Sequence, residues 1–263
     1  MAGVGSLAVP DCGASSSDAD SAPDRHTASA TAHRPARAVP PCTGPVKHRP
    51  AGPDLVIGIL AAVTPQAPQP SAEHLAEPMR SRWSASVYDD AHRLGDDEIE
   101  TLLHAAQWAP SAGNSQPWLF FVCVPGTANH DRLVATLSRG NSGWVPRASV
   151  VFVTAAHVRS GDEPEAPAFS DYALYDVGQA AAHLTLQATA MGLHAHQFAG
   201  FDHDALADAL GVPATHRLLT GIAIGVPGDP AQVDERTAAR DHRDRVRKPL
   251  GEWVRHGRYD EPA

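Results

Sequence analysis

The first 78 residues contain no phenylalanine, tryptophan or tyrosine; Trp83 is the first aromatic of the chain. The same stretch holds about half of the chain's 23 prolines, with runs such as Arg34–Pro41. Such a segment cannot bury enough apolar surface to offset its chain entropy. It is expected to be a disordered Pro/Ala-rich tail, residues 1–78, ahead of a domain over 79–257 and a short C-terminal tail, 258–263. The one apolar run in the tail, Leu55–Val63, is too short to span a bilayer. Lys47, His48 and Arg49 precede it in the manner of a signal peptide, but their distance from Met1 argues against export. Met79, just ahead of the first motif, is a candidate translation start.

Cysteine is scarce. Cys12, Cys42 and Cys123 make an odd count without ligand spacing, which excludes a disulfide framework or a zinc finger and fits a reducing, cytoplasmic compartment. Positive charge is deficient too: the net charge is −9, which argues against nucleic acid as a partner. The lack of a long hydrophobic run argues against a membrane partner. There is no Gly-x-Ser-x-Gly elbow, no P-loop and no set of phosphate-binding glycines after a strand, so a serine hydrolase, a P-loop NTPase and a Rossmann domain are not expected. His194 and His196 share one face of a predicted strand, yet no carboxylate or thiol with ligand spacing joins them, and no metal is expected.

What is present begins after Met79. Arg82 can take a phosphate in bidentate fashion with Ser84 adding a donor, although a solvated entry strand explains the same residues. The Gly95-Asp96-Asp97 sequence, with Asp96 as N-cap, opens a helix whose Ile99, Leu102, Leu103 and Ala106 form one buried face. Trp118–Val124 reads as a buried central strand, Ala148–Ala155 as a second and Arg217–Val226 as a third. Asn129 is a candidate cap for a helix to Leu137, and residues 139–147 read as a loop. Ser160–Pro167 reads as a mobile surface loop. The longest helix runs from Asp171 to Met191 with a small-residue face of Leu174, Val177, Gly178, Ala181 and Thr185, suited to a dimer seam or to internal packing. Leu193–Phe198 alternates as a strand does, and Asp202 caps a helix to Leu210.

Between the first helix and the first strand lies Ala109-Pro110-Ser111-Ala112-Gly113-Asn114-Ser115-Gln116-Pro117-Trp118. Pro110 and Pro117 bias their preceding residues away from helix, and Gly113 opens backbone geometry closed to other residues. The result is a stiff bend presenting Ser111, Asn114, Ser115 and Gln116. Its amides carry a donor and an acceptor together, which suits a heterocycle edge, and equally suits a self-satisfied turn. Near the end of the chain Arg245 and Arg247, spaced by two, point the same way if extended; a solvated basic face would look the same.

The order of these elements over about Arg80–Val254 resembles the FMN-dependent nitroreductase family, most specifically in the Ala109–Trp118 segment. The resemblance implies an α+β fold: an α-β-α sandwich with a mixed, mostly antiparallel sheet flanked by helices. It also implies that Arg82, Trp83 (through its backbone) and Ser84 hold the FMN phosphate and ring edge, and that Arg245 and Arg247 grip the phosphate. Ser111, Asn114 and Gln116 would meet the flavin or its ribityl chain, and the Gln197-Phe198-Ala199-Gly200 turn would set backbone N–H groups beside flavin N5. Two departures stand out. Ser86 occupies a position where the family has Arg or Lys, costing a charge near the cofactor, and Ala199 stands where an acidic residue is common. The implied activity passes hydride from NADH or NADPH through FMN to an electron-poor small-molecule acceptor, such as a nitroaromatic or quinone, with ping-pong kinetics. No catalytic side chain is singled out. The implied assembly is a homodimer with the Pro249–Val254 tail around the partner. Alternatives on the same scaffold are flavin storage without turnover, or another reaction such as reductive dehalogenation or flavin destruction.

Overall fold

The computed structural model describes residues 71–260. Most of the expected tail, including Leu55–Val63, lies outside them, as do the last three residues of the expected C-terminal tail. The boundary drawn at residue 78 is crossed by a short helix, α1 (Glu77–Ser81), and Ala72 ahead of it is buried.

Four strands form one sheet: β1 (Trp118–Cys123), β2 (Val150–His157), β3 (His194–Phe198) and β4 (His216–Gly225). Their order is β1-β2-β4-β3, and all three pairings are antiparallel. β2 and β4 lie at the centre, as their β-branched runs predict. β1, expected to be central, is an edge strand, and all of its residues but Cys123 are only partly buried. Its apolar content packs instead under α2 (Asp96–Gln107) and beside α3 (Ala128–Thr136), so composition alone misplaced it.

The side chains of β2 and β4 alternate between two helical layers, as strand geometry requires. Val150, Phe152, Ile222 and Ile224 meet Leu102 and Ala106 of α2 and Ala180, Ala181, Leu184 and Ala188 of α4 (Ala173–Ala190). Val151, Val153, Ala155, Leu218 and Ala223 meet Leu133 of α3 and Leu206 of α5 (His203–Leu210) on the other face. This is the expected α-β-α sandwich, with every pairing among the described residues antiparallel.

Two caps differ from expectation. Gly95, not Asp96, caps α2: its N–H donates to Glu98 Oε2 at 2.8 Å, and Asp96 sits inside the first turn with two more acids. Thr127, not Asn129, caps α3 by accepting from the His130 N–H. Asp202 caps α5 as predicted, accepting from the Ala205 N–H at 3.0 Å. The 139–147 stretch is more than a loop. Trp144 and Val145 are fully buried, and the Trp144 indole N–H is shared between Gly140 O and Asn141 Oδ1. The Trp144 ring stacks on His196 at 4.3 Å and meets the edge of Phe198 at 5.5 Å. On α4 the proposed face divides: Val177, Ala181 and Thr185 are buried, while Leu174 and Gly178 face outward.

Candidate functional site

The chain from Arg82 to Tyr88 is an extended segment laid over the sheet ends and then inward. Trp83 meets the His194 ring edge-on at 5.2 Å, and the Tyr88 hydroxyl donates to Ala223 O at 3.1 Å. These anchors leave Arg82 and Ser84 at the rim, where Arg82 Nη1 donates to Ser84 Oγ at 3.4 Å. The C-terminal segment after α6 (Glu235–Asp241) returns to the same rim. There Arg245 Nη1 donates to Arg82 O at 3.0 Å. Arg82 is held below its ordinary proton affinity by burial first, then by the positive charges of Arg247 and Arg245. Arg245 is lowered likewise by burial and by Arg247. Arg82 and the Arg245–Arg247 pair, distant in sequence, therefore bring positive charge to one place. Such a cluster suits a multiply charged anion, since each Arg offers a planar fork to phosphate oxygens.

Ser86 does not share that rim. It is fully buried, with its N–H on Asp241 Oδ1 at 2.8 Å and its hydroxyl 3.5 Å from His196 Nδ1. The missing basic residue is thus an inward-turned side chain in this chain. His196 Nδ1 lies 2.7 Å from Ala85 O and so donates to it. Burial pushes the His196 ring below its ordinary pKa; the bond to Ala85 O opposes this, and the charges of Arg240 and Arg82 add to the lowering. His194 is pushed down to about 4 by burial. Among the described residues no three His, Cys, Asp or Glu side chains gather as a metal site.

The 109–118 bend is a 3-10 turn (Ala112–Asn114) entered from extended backbone at Ser111 and left through Ser115 in helical backbone. Gly113 has φ +59°, as expected, but Asn114 (φ +56°) and Gln116 (φ +46°) adopt left-handed backbone too, which the sequence reading missed. Asn tolerates that region; for Gln it is an unusual conformation held by its surroundings. Ser111 Oγ accepts from the Gln116 N–H at 3.1 Å, so it serves the turn itself. Gln116 Nε2 donates back to Asn114 O at 3.3 Å. Asn114 is exposed, and its side-chain amide bonds no other described residue. Ser115 Oγ is buried without a partner among the described residues.

One residue that the sequence reading passed over ties the bend down. Asp176 of α4, 3% exposed, accepts from the Ala112 N–H at 3.0 Å. An acid on the small, apolar face of α4 was the available signal. Further along α4, Gln197 Nε2 donates to Thr185 Oγ1 at 2.9 Å. Its amide is thus engaged by the helix, although the residue as a whole is exposed. The turn beyond it is close-packed: Gly200 O accepts from Ser138 N and from Asn141 Nδ2, both at 3.0 Å. A Cβ on Gly200 would lie 2.4 Å from Asn141 Nδ2. Among the described residues nothing accepts from the Ala199 or Gly200 N–H, and Ala199 is exposed.

The predicted residues therefore form three groups: Arg82, Ser84, Arg245 and Arg247; Ser111, Asn114 and Gln116; and Gln197, Ala199 and Gly200. The second and third are fastened to α4 at Asp176 and Thr185, about 14 Å apart along the helix. The first is fastened to the start and middle of β3, through Trp83 on His194 and Ala85 on His196, while the third lies at its end. Together they offer a cationic cluster, a rim amide and two backbone N–H groups without a backbone acceptor among the described residues.

The nitroreductase family profile matches residues 79–226. The chain belongs to the nitroreductase family. It is 40% identical over 130 residues to an uncharacterized 15.4 kDa protein of Mycolicibacterium smegmatis, covering 49% of this chain and 84% of that protein. It is 29% identical over 153 residues to the "Putative NADH dehydrogenase/NAD(P)H nitroreductase" of Archaeoglobus fulgidus, covering 57% of this chain and 83% of that protein. Among solved structures, a crystal structure of an oxidoreductase containing FMN superposes with a TM-score of 0.66 at 29% identity, covering 75% of this chain and 98% of that one.

Proposed function

We propose that this nitroreductase-family chain binds FMN and acts as an NAD(P)H-dependent oxidoreductase on a small, electron-poor acceptor. The observation that carries the reading is the joining of the Arg82 and Arg245 segments, with Arg245 donating to Arg82 O at 3.0 Å, which brings the positive charge of Arg82, Arg245 and Arg247 to one rim suited to an anionic phosphate. The FMN-containing relative supports the same choice of cofactor. In this reading Arg82, Ser84, Arg245 and Arg247 hold the phosphate. Asn114 meets the ring or ribityl chain, and the Ala199 and Gly200 N–H groups donate to the ring. Gln197 and Ser111 act through the local structure they stabilise. Bound FMN supplies the hydride-transfer chemistry; the protein's part is to hold it, orient it and exclude side reactions. With one flavin serving donor and acceptor in turn, the kinetics are ping-pong, and NADH and NADPH are both donor candidates.

A homodimer fits the surface. Tyr172, Leu174 and Tyr175 of the α4 start are 44–68% exposed, and Leu250 and Trp253 of the C-terminal segment are 66% and 62% exposed. Light scattering that gives a monomer would remove this part of the reading. The inward turn of Ser86 favours one alternative, a flavin-holding protein without turnover, because that position extends no second cation toward a cofactor.

The test is flavin titration of the apoprotein and of Asn114→Gly. Glycine keeps the left-handed backbone that alanine would strain. Asn114→Gly is expected to weaken FMN about tenfold, the loss of one hydrogen bond, at unchanged fold. Equal affinity would return the bend to a self-contained turn.

A further inference from the structure

The arginine cluster has a buried carboxylate behind it. Asp241, the last residue of α6, is 8% exposed. Its Oδ1 accepts the Ser86 N–H at 2.8 Å and its Oδ2 the Val87 N–H at 3.0 Å. Four residues on, Arg245 donates to Arg82 O at 3.0 Å. The two contacts run antiparallel: as the C-terminal segment advances from 241 to 245, its partner recedes from 87 to 82. The segments bearing the three arginines are thus joined side by side.

We propose that Asp241 is the positioning residue of the phosphate cradle, fixing the Arg82–Val87 backbone against Arg245 and Arg247 so that the guanidinium groups stand together before an anion arrives. The proposal rests on the phosphate-binding reading above. Like charges at one rim push apart, and an unfastened backbone would disperse them. Ordering such backbone on binding costs chain entropy, which would be subtracted from affinity. A carboxylate suits the task because it alone presents two acceptor oxygens and no donor to two adjacent N–H groups. Charge assistance makes each bond stronger than an amide could provide. Asp241 does not itself face the anion: its oxygens are turned to the backbone, and an exposed acid there would repel phosphate. Burial raises its proton affinity above the ordinary carboxylate range, and the Ser86 and Val87 N–H groups oppose that rise without cancelling it.

The experiment compares FMN with riboflavin, which lacks the phosphate, by quenching of flavin fluorescence on the full-length apoprotein. Asp241→Asn turns one acceptor into a donor against an N–H. The FMN dissociation constant is expected to rise about tenfold, one charge-assisted bond, while riboflavin affinity stays level. A merely structural role would weaken both ligands together, and that result, or no change in either, overturns the proposal. A wild-type protein that binds riboflavin and FMN equally well overturns the phosphate reading as well; one that binds neither overturns the flavin site altogether. Hydrogen exchange on the unaltered apoprotein is independent of any variant's folding. Ser86 and Val87 N–H are expected to be protected without ligand, and protection that appears only on adding FMN refutes preorganisation.

Discussion

Replacing Gly221 with alanine puts the packing around the Ala199–Gly200 turn to a direct test. Gly221 of β4 pairs across the sheet with Phe198 of β3. A Cβ there would lie 2.3 Å from Phe198 Cζ and 2.6 and 2.9 Å from its two Cε atoms, well inside contact distance. The ring has little room to yield. Trp144 stands against it edge-on at 5.5 Å and Phe201 at 6.1 Å, and Phe198 is 7% exposed. Overpacking of this kind costs roughly 1–3 kcal/mol, and the near-central clash places it in the upper half. For a domain of this size that lowers the melting temperature by about 4–10 °C. The ring displacement should also disturb Ala199 directly, so FMN affinity should fall beyond what stability explains. The assay is thermal unfolding by circular dichroism, with flavin titration below the transition. The double variant Gly221→Ala with Phe198→Leu should recover part of the melting temperature. An unchanged melting temperature in the single variant would refute the packing account, because no open space adjoins the Cβ.

Three further outcomes follow from individual contacts. His194 is pushed down to about 4 from 6.5, so the fold favours its neutral form. That stability is present above pH 6.5 and is lost as pH falls toward 4, amounting to about 2–3 kcal/mol. Urea unfolding at pH 7 and at pH 4.5 should show the fall, and His194→Phe should reduce it; equal pH dependence in the variant contradicts the assignment. Asp176→Ala removes the tether of Ala112, and at about 1.5–3 kcal/mol for a charged hydrogen bond it should lower the melting temperature and weaken FMN, whereas unaltered values would show the bend standing unaided. Cys123, fully buried with its thiol pushed up to about 12, should resist iodoacetamide in the native protein and react after unfolding; peptide mapping distinguishes it from Cys12 and Cys42.

The layer structure was legible because apolar residues carry their period. The runs in β2 and β4 mark strands covered on both faces, and Leu102 and Ala106 mark the inner face of α2. The run in β1 looks the same, yet it forms an edge: composition reports how much a strand buries, not how many neighbours it hydrogen-bonds. The Arg82, Arg245 and Arg247 cluster was reachable only through the family resemblance, since nothing local to the sequence says that residues 163 apart meet. Asp176 and Asp241 escaped for a related reason. Each is an acid whose purpose is a backbone N–H donated from a distant segment, and spacing along the chain does not record that. Gln197 was named with the turn it adjoins through the family resemblance; that its amide donates to Thr185 of α4 is a contact spacing along the chain does not record.

The central claim is that this nitroreductase-family chain holds FMN and turns it over. Its most direct test is anaerobic addition of NADH, and separately NADPH, to the FMN-reconstituted protein while the visible flavin absorption is followed. Bleaching by at least one donor, with colour restored by a nitroaromatic or quinone, is the predicted result. A protein that binds FMN but is bleached by neither donor would contradict the turnover reading and favour flavin storage. A protein that takes up no FMN would contradict the site itself.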